Sequence, residues 1–213
     1  MWEKMKVAVV LLFWIFLAGP LSAERNERRP IQVFVLAGQS NMQGQGVVDL
    51  DHAQYYNGGK GTLLHVMQNT TTPDRYAHLQ DDKGAWVVRN DVHVRFRVKD
   101  GEVPEAVKKG GLSIGFAGYP GRHHIGPEFQ FGHVVGDHYD QPVVLIKTAW
   151  GGKSLFKDFR PPSAGGETGA YYTKMLAEVQ EAISLLRIDF PQLAGRKHEL
   201  AGFVWQQGWN DMF

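Results

Sequence analysis

Three short segments of this 213-residue chain carry residues that together could perform acyl transfer. Gly38-Gln39-Ser40-Asn41-Met42 offers a serine hydroxyl as nucleophile, beside a glycine that permits a tight turn. Ala149-Trp150-Gly151-Gly152-Lys153-Ser154-Leu155 offers backbone N–H groups at paired glycines, and Gln206-Gln207-Gly208-Trp209-Asn210-Asp211 offers side-chain amides. Such N–H groups stabilise the oxyanion that forms when a hydroxyl attacks an ester carbonyl. The residue types therefore predict nucleophilic catalysis by Ser40.

Ser40 has a second interpretation, because serine is also a common cap at the start of a helix. A glycine and a serine after a strand do not by themselves separate a nucleophile from a cap. Three segments that each combine glycine with serine or an amide favour an active site, since a helix cap requires only one of them.

An apolar run precedes each of the three segments and predicts a buried strand. The runs are Ile31 to Ala37, Pro142 to Thr148 and Leu200 to Trp205, and they are rich in β-branched and other apolar residues. Parallel strands end at one edge of a sheet, and ligands bind outside that edge. We therefore expect the serine, the paired glycines and the amides to meet there.

Two helices are predicted between these strands. Apolar residues recur at spacings of three and four from Tyr171 to Ile188, and Pro191 follows as a stop. A shorter helix is predicted from Pro127 to Tyr139, with proline in its first turn. Alternating strands and helices predict an α/β sandwich around a parallel sheet. The residues expected on the buried face of the shorter helix are Phe131, Val134, Val135 and His138.

The segment from about residue 47 to 115 interrupts this alternation. It is rich in Gly, Asp and Asn, and the stretch from Trp86 to Phe96 alternates apolar with polar residues. That alternation predicts a β-hairpin. We interpret the segment as an insertion whose hairpin lies over one end of the sheet.

The composition excludes several classes of function. Lys and Arg number 23 against 22 Asp and Glu, so no long-range field attracts nucleic acid, and a small or neutral substrate is favoured. The chain has no cysteine, which excludes cysteine nucleophiles, thiolate zinc sites and iron–sulfur clusters. We expect neither a cofactor nor a metal ion.

The first 23 residues have the pattern of a secretory signal peptide. Lys4 and Lys6 precede the apolar run from Val7 to Ala18, and Leu21-Ser22-Ala23 offers a cleavage site. The run is too short for a stable membrane span, which needs roughly 20 apolar residues. We therefore expect export to the periplasm or the extracellular space, with an uncleaved N-terminal anchor as the alternative.

The first motif, Gly38-Gln39-Ser40-Asn41-Met42, resembles the first block of the carbohydrate-esterase branch of SGNH hydrolases, the sialate O-acetylesterase and acetylxylan esterase-like group. Gly126-Pro127-Glu128, Gly151 to Leu155 and Trp205-Gln206-Gln207-Gly208-x-x-Asp211 resemble its later blocks, in the same order. The resemblance covers residues 31–213. It implies a flavodoxin-like, three-layer α/β/α fold and metal-free hydrolysis of acyl esters.

By this resemblance Ser40 is the nucleophile, and its backbone N–H and that of Gly152 form part of the oxyanion hole. The third donor is Gln207, which fits the carbohydrate-esterase pattern, or Asn210, which fits the general SGNH pattern Gly-x-Asn-Asp. Trp209 stands where the family usually has Glu, which bears on substrate preference. The residues expected to contact the carbohydrate are Gln39, Asn41, Glu128 and Trp150.

Three residues of this predicted site have simpler interpretations. Glu128 would either contact substrate or order the loop before it, and an acid at a helix N-terminus also stabilises the helix dipole. Trp150 and Trp209 would either stack on sugar rings or cover the core.

The base of the family is a histidine in an Asp-x-x-His-type block near the C-terminus, and no such block follows Asp211 here. We therefore expect residues 24–213 to be a C-terminally truncated esterase domain. The alternatives for the base are His123, His124 and His133.

His133 and Asp137 are spaced by one helical turn, which fits a metal-binding pair or an ordinary surface pair, and the surface pair is favoured.

The sequence thus predicts an esterase that hydrolyses O-acetyl esters on carbohydrates. A catalytically inactive carbohydrate-binding module on the same fold is the main alternative, and acyl transfer to a sugar is another. A truncated parallel sheet exposes a strand edge, so we expect residues 24–213 to be poorly soluble.

Overall fold

The computed structural model describes residues 29–52, 56–98 and 106–212. The strands are β1 Ile31–Gly38, β2 Gly46–Val47, β3 Arg89–Val98, β4 Ala106–Leu112, β5 His124–Ile125, β6 Val143–Ala149 and β7 His198–Gln206. The α-helices are α1 Ser40–Gln43, α2 Leu63–Asn69, α3 Pro127–His138, α4 Ala170–Ser184 and α5 Leu186–Asp189. Single 3₁₀ turns cover Asn57–Gly59, Pro73–Arg75, Ala77–Leu79, Pro162–Ala164 and Pro191–Leu193.

Five of the described strands form one mixed sheet in the order β4-β3-β6-β1-β7. The four strands β3, β6, β1 and β7 run parallel to one another, and β4 pairs antiparallel with β3. β2 and β5 form a separate antiparallel pair. Helices cover both faces, with α3 on one side and α4 and α5 on the other. The expected α/β sandwich with a largely parallel sheet is confirmed.

The position expected for the hairpin is wrong. The pair β3–β4 does not lie over one end of the sheet but extends the sheet beside β6. The cause is the apolar side of β3, where Val92, Val94 and Phe96 are fully buried in the core against α3 and β6. An apolar strand of this length gains more from joining the core than from covering it.

Strand β1 is buried along its whole length, as its continuous apolar run predicted. Ile31 and Val33 pack beneath α4 and α5, whereas Phe34 and Leu36 face the core under α3. The neighbouring β7 is the outer strand of the described sheet, and its Leu200 and Phe203 are 66% and 53% exposed.

The residues expected on the buried face of α3 are wrong in part. Val134 is 58% exposed, whereas Gly132 and Gly136 face the sheet. A Cβ at Gly132 would lie 2.5 Å from Leu112 Cδ2, so the missing side chain is what lets α3 pack closely on the sheet. Phe129 fills the adjacent space in the core.

The helix expected from Tyr171 to Ile188 is present as two helices, because the chain departs from helical geometry at Leu185. The expected signal peptide lies outside the described residues. Within the described residues, none of the helices combines the length and the apolar character that a membrane crossing requires.

Candidate active site

The three glycine-containing segments meet at one edge of the sheet, as the sequence predicted. Gly38, the last residue of β1, is in register with Ala149 of β6 on one side and Gln206 of β7 on the other. Trp150 N–H donates to the Gly38 carbonyl at 3.2 Å. The segment with the candidate nucleophile Ser40 therefore leaves the sheet between the two segments that carry the candidate oxyanion donors.

Gly38 is a glycine because no side chain fits at its position. Its φ is +150°, and a Cβ there would lie 2.1 Å from the Gln206 carbonyl oxygen. This close contact with β7 lets the chain turn directly from β1 into α1.

Ser40 is the first residue of α1 and is half-buried. Its Oγ donates to Gln39 Oε1 at 3.1 Å, and the backbone N–H of Gly152 donates to the same oxygen at 3.2 Å. Gln39 is the residue in the N-cap position, so the Ser40 hydroxyl does not serve as the helix cap. The serine hydroxyl and a candidate oxyanion donor thus converge on one atom.

The Gln39 side chain, which accepts both of these hydrogen bonds, is buried in the protein. It is 1% exposed, and a Cβ at Gly208 would lie only 1.6 Å from Gln39 Nε2, so the β7 turn closes tightly over the amide. We therefore revise the role expected for Gln39, from contacting the carbohydrate to supporting Ser40 and Gly152.

The turn after β7 contains both candidates for the third donor, and they differ in how they are used. Gln207 Nε2 donates to the Lys153 carbonyl at 3.0 Å and to Asp211 Oδ2 at 2.8 Å, so both of its N–H groups are engaged. Asn210 is half-buried, and no hydrogen bond among the described residues involves its side chain.

Asp211 links the turn after β7 to the loop after β6 through hydrogen bonds. Its carboxylate accepts the backbone N–H groups of Leu155 at 3.0 Å and Phe156 at 2.9 Å. Burial raises the pKa of Asp211, but these N–H groups and the Gln207 amide lower it by more, so the net pKa lies below its usual value. The ionised carboxylate keeps the two loops together.

Asn41 is exposed beside Ser40, and its Nδ2 donates to the Gln207 carbonyl at 3.1 Å. This position remains accessible to a substrate.

Glu128 lies within the protein and not in the cleft. Its side chain is 0% exposed, accepts Gly126 N–H at 2.9 Å and pairs with Lys147 Nζ at 2.5 Å. We therefore revise its role to ordering the loop before α3, which was the alternative to substrate contact. Lys147 is a residue that the sequence analysis missed, although a lysine inside an otherwise apolar buried strand signals a special role.

Residues 30–213 match the family model described as carbohydrate esterase, sialic acid-specific acetylesterase. The chain belongs to this carbohydrate esterase family.

Two solved structures are similar to the chain. A protein from Arabidopsis thaliana is 17% identical with a TM-score of 0.44, over 86% of this chain and 60% of that one. A carbohydrate acetylesterase from Xanthomonas citri is 14% identical with a TM-score of 0.40, over 84% of this chain and 32% of that one. The chain thus spans less than two thirds of either structure. No curated protein sequence matches it.

The two tryptophans of the site are placed differently in this esterase-family domain. Trp150 is 4% exposed and packs against Phe159 and Tyr171, with ring centroids at 6.0 and 5.3 Å. We therefore revise Trp150 from a sugar-stacking residue to a core residue. Trp209 is 65% exposed in the turn after β7.

Among the described residues, none of the three histidines considered as the base is hydrogen-bonded to Ser40. His123 Nδ1 pairs with Asp49 Oδ1 at 2.7 Å, and His124 stacks on Tyr119 with centroids 4.4 Å apart. His133 is buried against His78 and Phe129.

The spacing of His133 and Asp137 by one helical turn does not lead to a hydrogen bond between their side chains. Asp137 pairs with Arg89, which also donates to the His133 carbonyl. Among the described residues, no group of three or more His, Asp or Glu is arranged to hold a metal ion.

Proposed function

We propose that this domain hydrolyses O-acetyl esters on carbohydrates, with Ser40 as the nucleophile. The observation that carries the proposal is the convergence of Ser40 Oγ and Gly152 N–H on Gln39 Oε1, at the edge where three parallel strands end. A hydroxyl and a backbone donor this close together suit attack on a carbonyl whose oxygen becomes negative. Membership of the carbohydrate esterase family supports the same chemistry.

The reaction follows from these positions. Ser40 Oγ attacks the acetyl carbonyl, and a base removes the serine proton. The tetrahedral oxyanion takes the backbone N–H groups of Ser40 and Gly152, the latter in competition with Gln39 Oε1. Collapse of the intermediate breaks the ester bond and releases the sugar hydroxyl with its proton, and water then frees acetate from the acetyl-serine.

Asn210 is our choice for the third oxyanion donor. The Gln207 amide already donates both of its N–H groups to Lys153 and Asp211, so its use would release the loop that those bonds hold. The Asn210 amide makes no competing hydrogen bond within the described part of the chain. The base is a histidine, as in the family pattern, and none of His123, His124 and His133 is hydrogen-bonded to the Ser40 hydroxyl in the described part of the chain.

The carbohydrate binds at the rim of the same edge. Phe156 and Trp209 are 76% and 65% exposed. The Phe156 backbone N–H donates to Asp211, and Trp209 precedes Asp211 by two residues. Arg160 covers one face of the Phe156 ring at 5.2 Å, which holds the ring in place. A cavity of about 410 Å³ opens beside Phe156, lined also by Glu167 and Thr168. Aromatic rings with nearby polar groups suit a sugar.

The test replaces the nucleophile in the full-length protein. Ser40→Ala is expected to reduce hydrolysis of 4-nitrophenyl acetate and of an O-acetylated sugar by at least about 10³-fold, because no other hydroxyl occupies that position. Ser184→Ala is the matched control, since Ser184 is an exposed helical serine on α4. Retained hydrolysis in Ser40→Ala would refute the proposal, and inactive wild-type protein that still binds the sugar would favour a binding module.

Acyl transfer is separated from hydrolysis by the products. With an acetyl donor and excess sugar acceptor, hydrolysis yields free acetate, whereas transfer yields acetylated acceptor.

A further inference from the structure

The carbonyl of Gln43, at the end of the nucleophile helix, is held by two donors from other parts of the chain. Lys147 Nζ donates to it at 2.8 Å and Gly118 N–H at 3.0 Å. Lys147 Nζ also donates to the Phe116 carbonyl at 2.8 Å and to Glu128 Oε2 at 2.5 Å. One buried ammonium group thus joins α1, the loop after β4, and α3.

The neighbouring Lys108 holds the same loop. Its Nζ donates to the carbonyls of Gly115, Ala117 and Tyr119 at 2.8, 2.9 and 2.6 Å. With Phe116 bound to Lys147, four carbonyls of this loop bind two ammonium groups. The loop returns a hydrogen bond to the nucleophile helix through Gly118.

Stability alone is a weak explanation for the Lys147–Glu128 pair. Both side chains are 0% exposed, and removing two charges from water costs about as much as their attraction returns. Burial lowers the pKa of Lys147, while the Glu128 carboxylate opposes that shift and supports the charged form. The apolar neighbours of Lys147 in β6 would form an uninterrupted core with a Leu or Met at that position.

We propose that the Lys147–Glu128 pair positions the nucleophile turn, an inference that rests on the proposed function of Ser40. Helix α1 has only four residues, and a helix of one turn has little stability of its own. Its start is tied to β7 through Gln39 N–H and the Gln206 carbonyl, at 3.3 Å. Its end is tied by Lys147, three residues and about 5 Å along the helix axis from Ser40.

Glu128 sets the position of the Lys147 ammonium group. One carboxylate oxygen takes the ammonium and the other takes Gly126 N–H, so the loop before α3 sets the position of the charge. Gly126 has no space for a side chain, because a Cβ there would lie 2.4 Å from Glu128 Oε2 and 2.8 Å from Lys147 Nζ. Glu128 and Lys147 act through Ser40 and do not touch substrate.

The test separates positioning from stability with two variants of the full-length protein. Lys147→Met leaves the Glu128 charge buried without its partner and is expected to lower Tm by on the order of 10 °C. Lys147→Met/Glu128→Leu removes both charges and is expected to recover most of that loss. The double variant still lacks the ammonium that holds Gln43, so its kcat for 4-nitrophenyl acetate is expected to stay about tenfold or more below wild type, with KM changed less than about threefold. Arg95→Met is the matched control: it removes a buried cation from the adjacent strand β3 and is expected to lower Tm without lowering kcat where the protein is folded.

Recovery of both Tm and kcat in the double variant would overturn the proposal and leave the pair a purely structural feature. Amide hydrogen exchange of residues 39–44 gives a readout that needs no activity. Exchange there is expected to accelerate in the double variant at least about tenfold more than in β3. This result would stand even if Ser40→Ala showed that Ser40 is not the nucleophile, so the two proposals fail separately.

If the double variant does not fold, Glu128→Gln carries the test. The amide oxygen can still accept Gly126 N–H, but the ammonium loses its carboxylate. Faster exchange concentrated at residues 39–44 would support the proposal, and equal acceleration in β3 would overturn it.

Discussion

Two buried cations on neighbouring strands, Lys147 of β6 and Arg95 of β3, serve opposite faces of the sheet in different ways. Lys147 pairs with Glu128 under α3, and both side chains are fully buried. Arg95 is 4% exposed but reaches outward to Glu181 and Asp189 of α4 and α5, at 2.8 Å each.

The difference lies in what else each cation binds. Lys147 also binds backbone carbonyls of the helix that begins at Ser40 and of an adjacent loop. The Arg95 network joins side chains, of which Asp189 is 6% exposed but Glu181 and Lys109 are 38% and 45% exposed. Charges in contact with water contribute modestly and are screened by salt. We therefore expect the face that carries the candidate nucleophile to be the more sensitive to substitution, and the other face to be the more tolerant.

The largest difference is expected when each cation is replaced by methionine. Lys147→Met should cost about 3–5 kcal/mol in the free energy of unfolding, because Glu128 is left buried without its partner. Arg95→Met should cost about 1–3 kcal/mol, since Asp189 keeps its bond to Lys109 at 2.5 Å. Urea unfolding measures both values. Equal costs would remove the contrast between the two faces.

In the turn after β7, the kcat losses of two variants distinguish the candidates for the third oxyanion donor. Asn210→Ala is expected to reduce kcat by ~10²–10³, the usual loss for one oxyanion donor. Gln207→Ala should reduce it less and should speed proteolysis of the loop after β6, because it removes the bonds to Lys153 and Asp211. The reverse order of the kcat losses would assign the third donor to Gln207.

His133 on α3 and Asp189 on α5 should lose their contributions to stability in different pH ranges. The pKa of His133 on α3 is lowered from 6.5 to about 4, mainly by burial and also by the charges of His78 and Arg89, while Asp137 and Asp91 oppose the shift. A depressed histidine pKa means that the unfolded chain binds the proton first. This contribution is therefore complete above pH 6.5 and falls by about 2–3 kcal/mol as the pH drops to about 4.

Asp189 in the Arg95 network behaves differently. Burial raises its pKa, but Lys109 and Arg95 lower it by more, so its contribution is present above the ordinary aspartate pKa and is lost only at more acidic pH. Urea unfolding from pH 7 to 4 should show the His133 loss, and His133→Leu should reduce the loss to the part that comes from His93 and His124, whose pKa values are also lowered by burial. An unchanged pH profile in His133→Leu would show that another group causes the loss.

The smallest effect is expected at the solvent side of the Arg95 network. The Lys109 side chain is 45% exposed, so Lys109→Ala should cost no more than about 1 kcal/mol. The cost should shrink between 0.1 and 1 M NaCl because salt screens exposed pairs. A cost that salt does not change would place this pair among the buried ones.

The strands that end at the site could be predicted from sequence, because buried parallel strands are continuous apolar runs and the glycine-containing segments follow them directly. Ser40, Gly152 and Gln207 came together for this reason. The buried face of α3 could not be predicted from hydrophobicity, since Gly132 and Gly136 face the sheet through the absence of a side chain.

The buried polar contacts around Ser40 also could not be predicted from the sequence. Lys147 binds Gln43, 104 residues earlier, and Glu128, 19 residues earlier, and no local periodicity reports such pairs. Gln39 was assigned to the substrate because it adjoins Ser40, but only the close approach of Gly208 shows that its amide points inward. Whether a polar side chain is buried depends on partners that are distant in sequence, whereas a motif shows only which residue types are present.

The most direct measurement of the central claim is mass spectrometry of the full-length protein after reaction with a fluorophosphonate, which forms a stable adduct with an activated serine. We expect one adduct, on the peptide that contains Ser40, with loss of acetyl-ester hydrolysis in proportion to labelling and no labelling in Ser40→Ala. Full loss of hydrolysis with the adduct on another residue, or persistent hydrolysis with Ser40 fully labelled, would contradict the account.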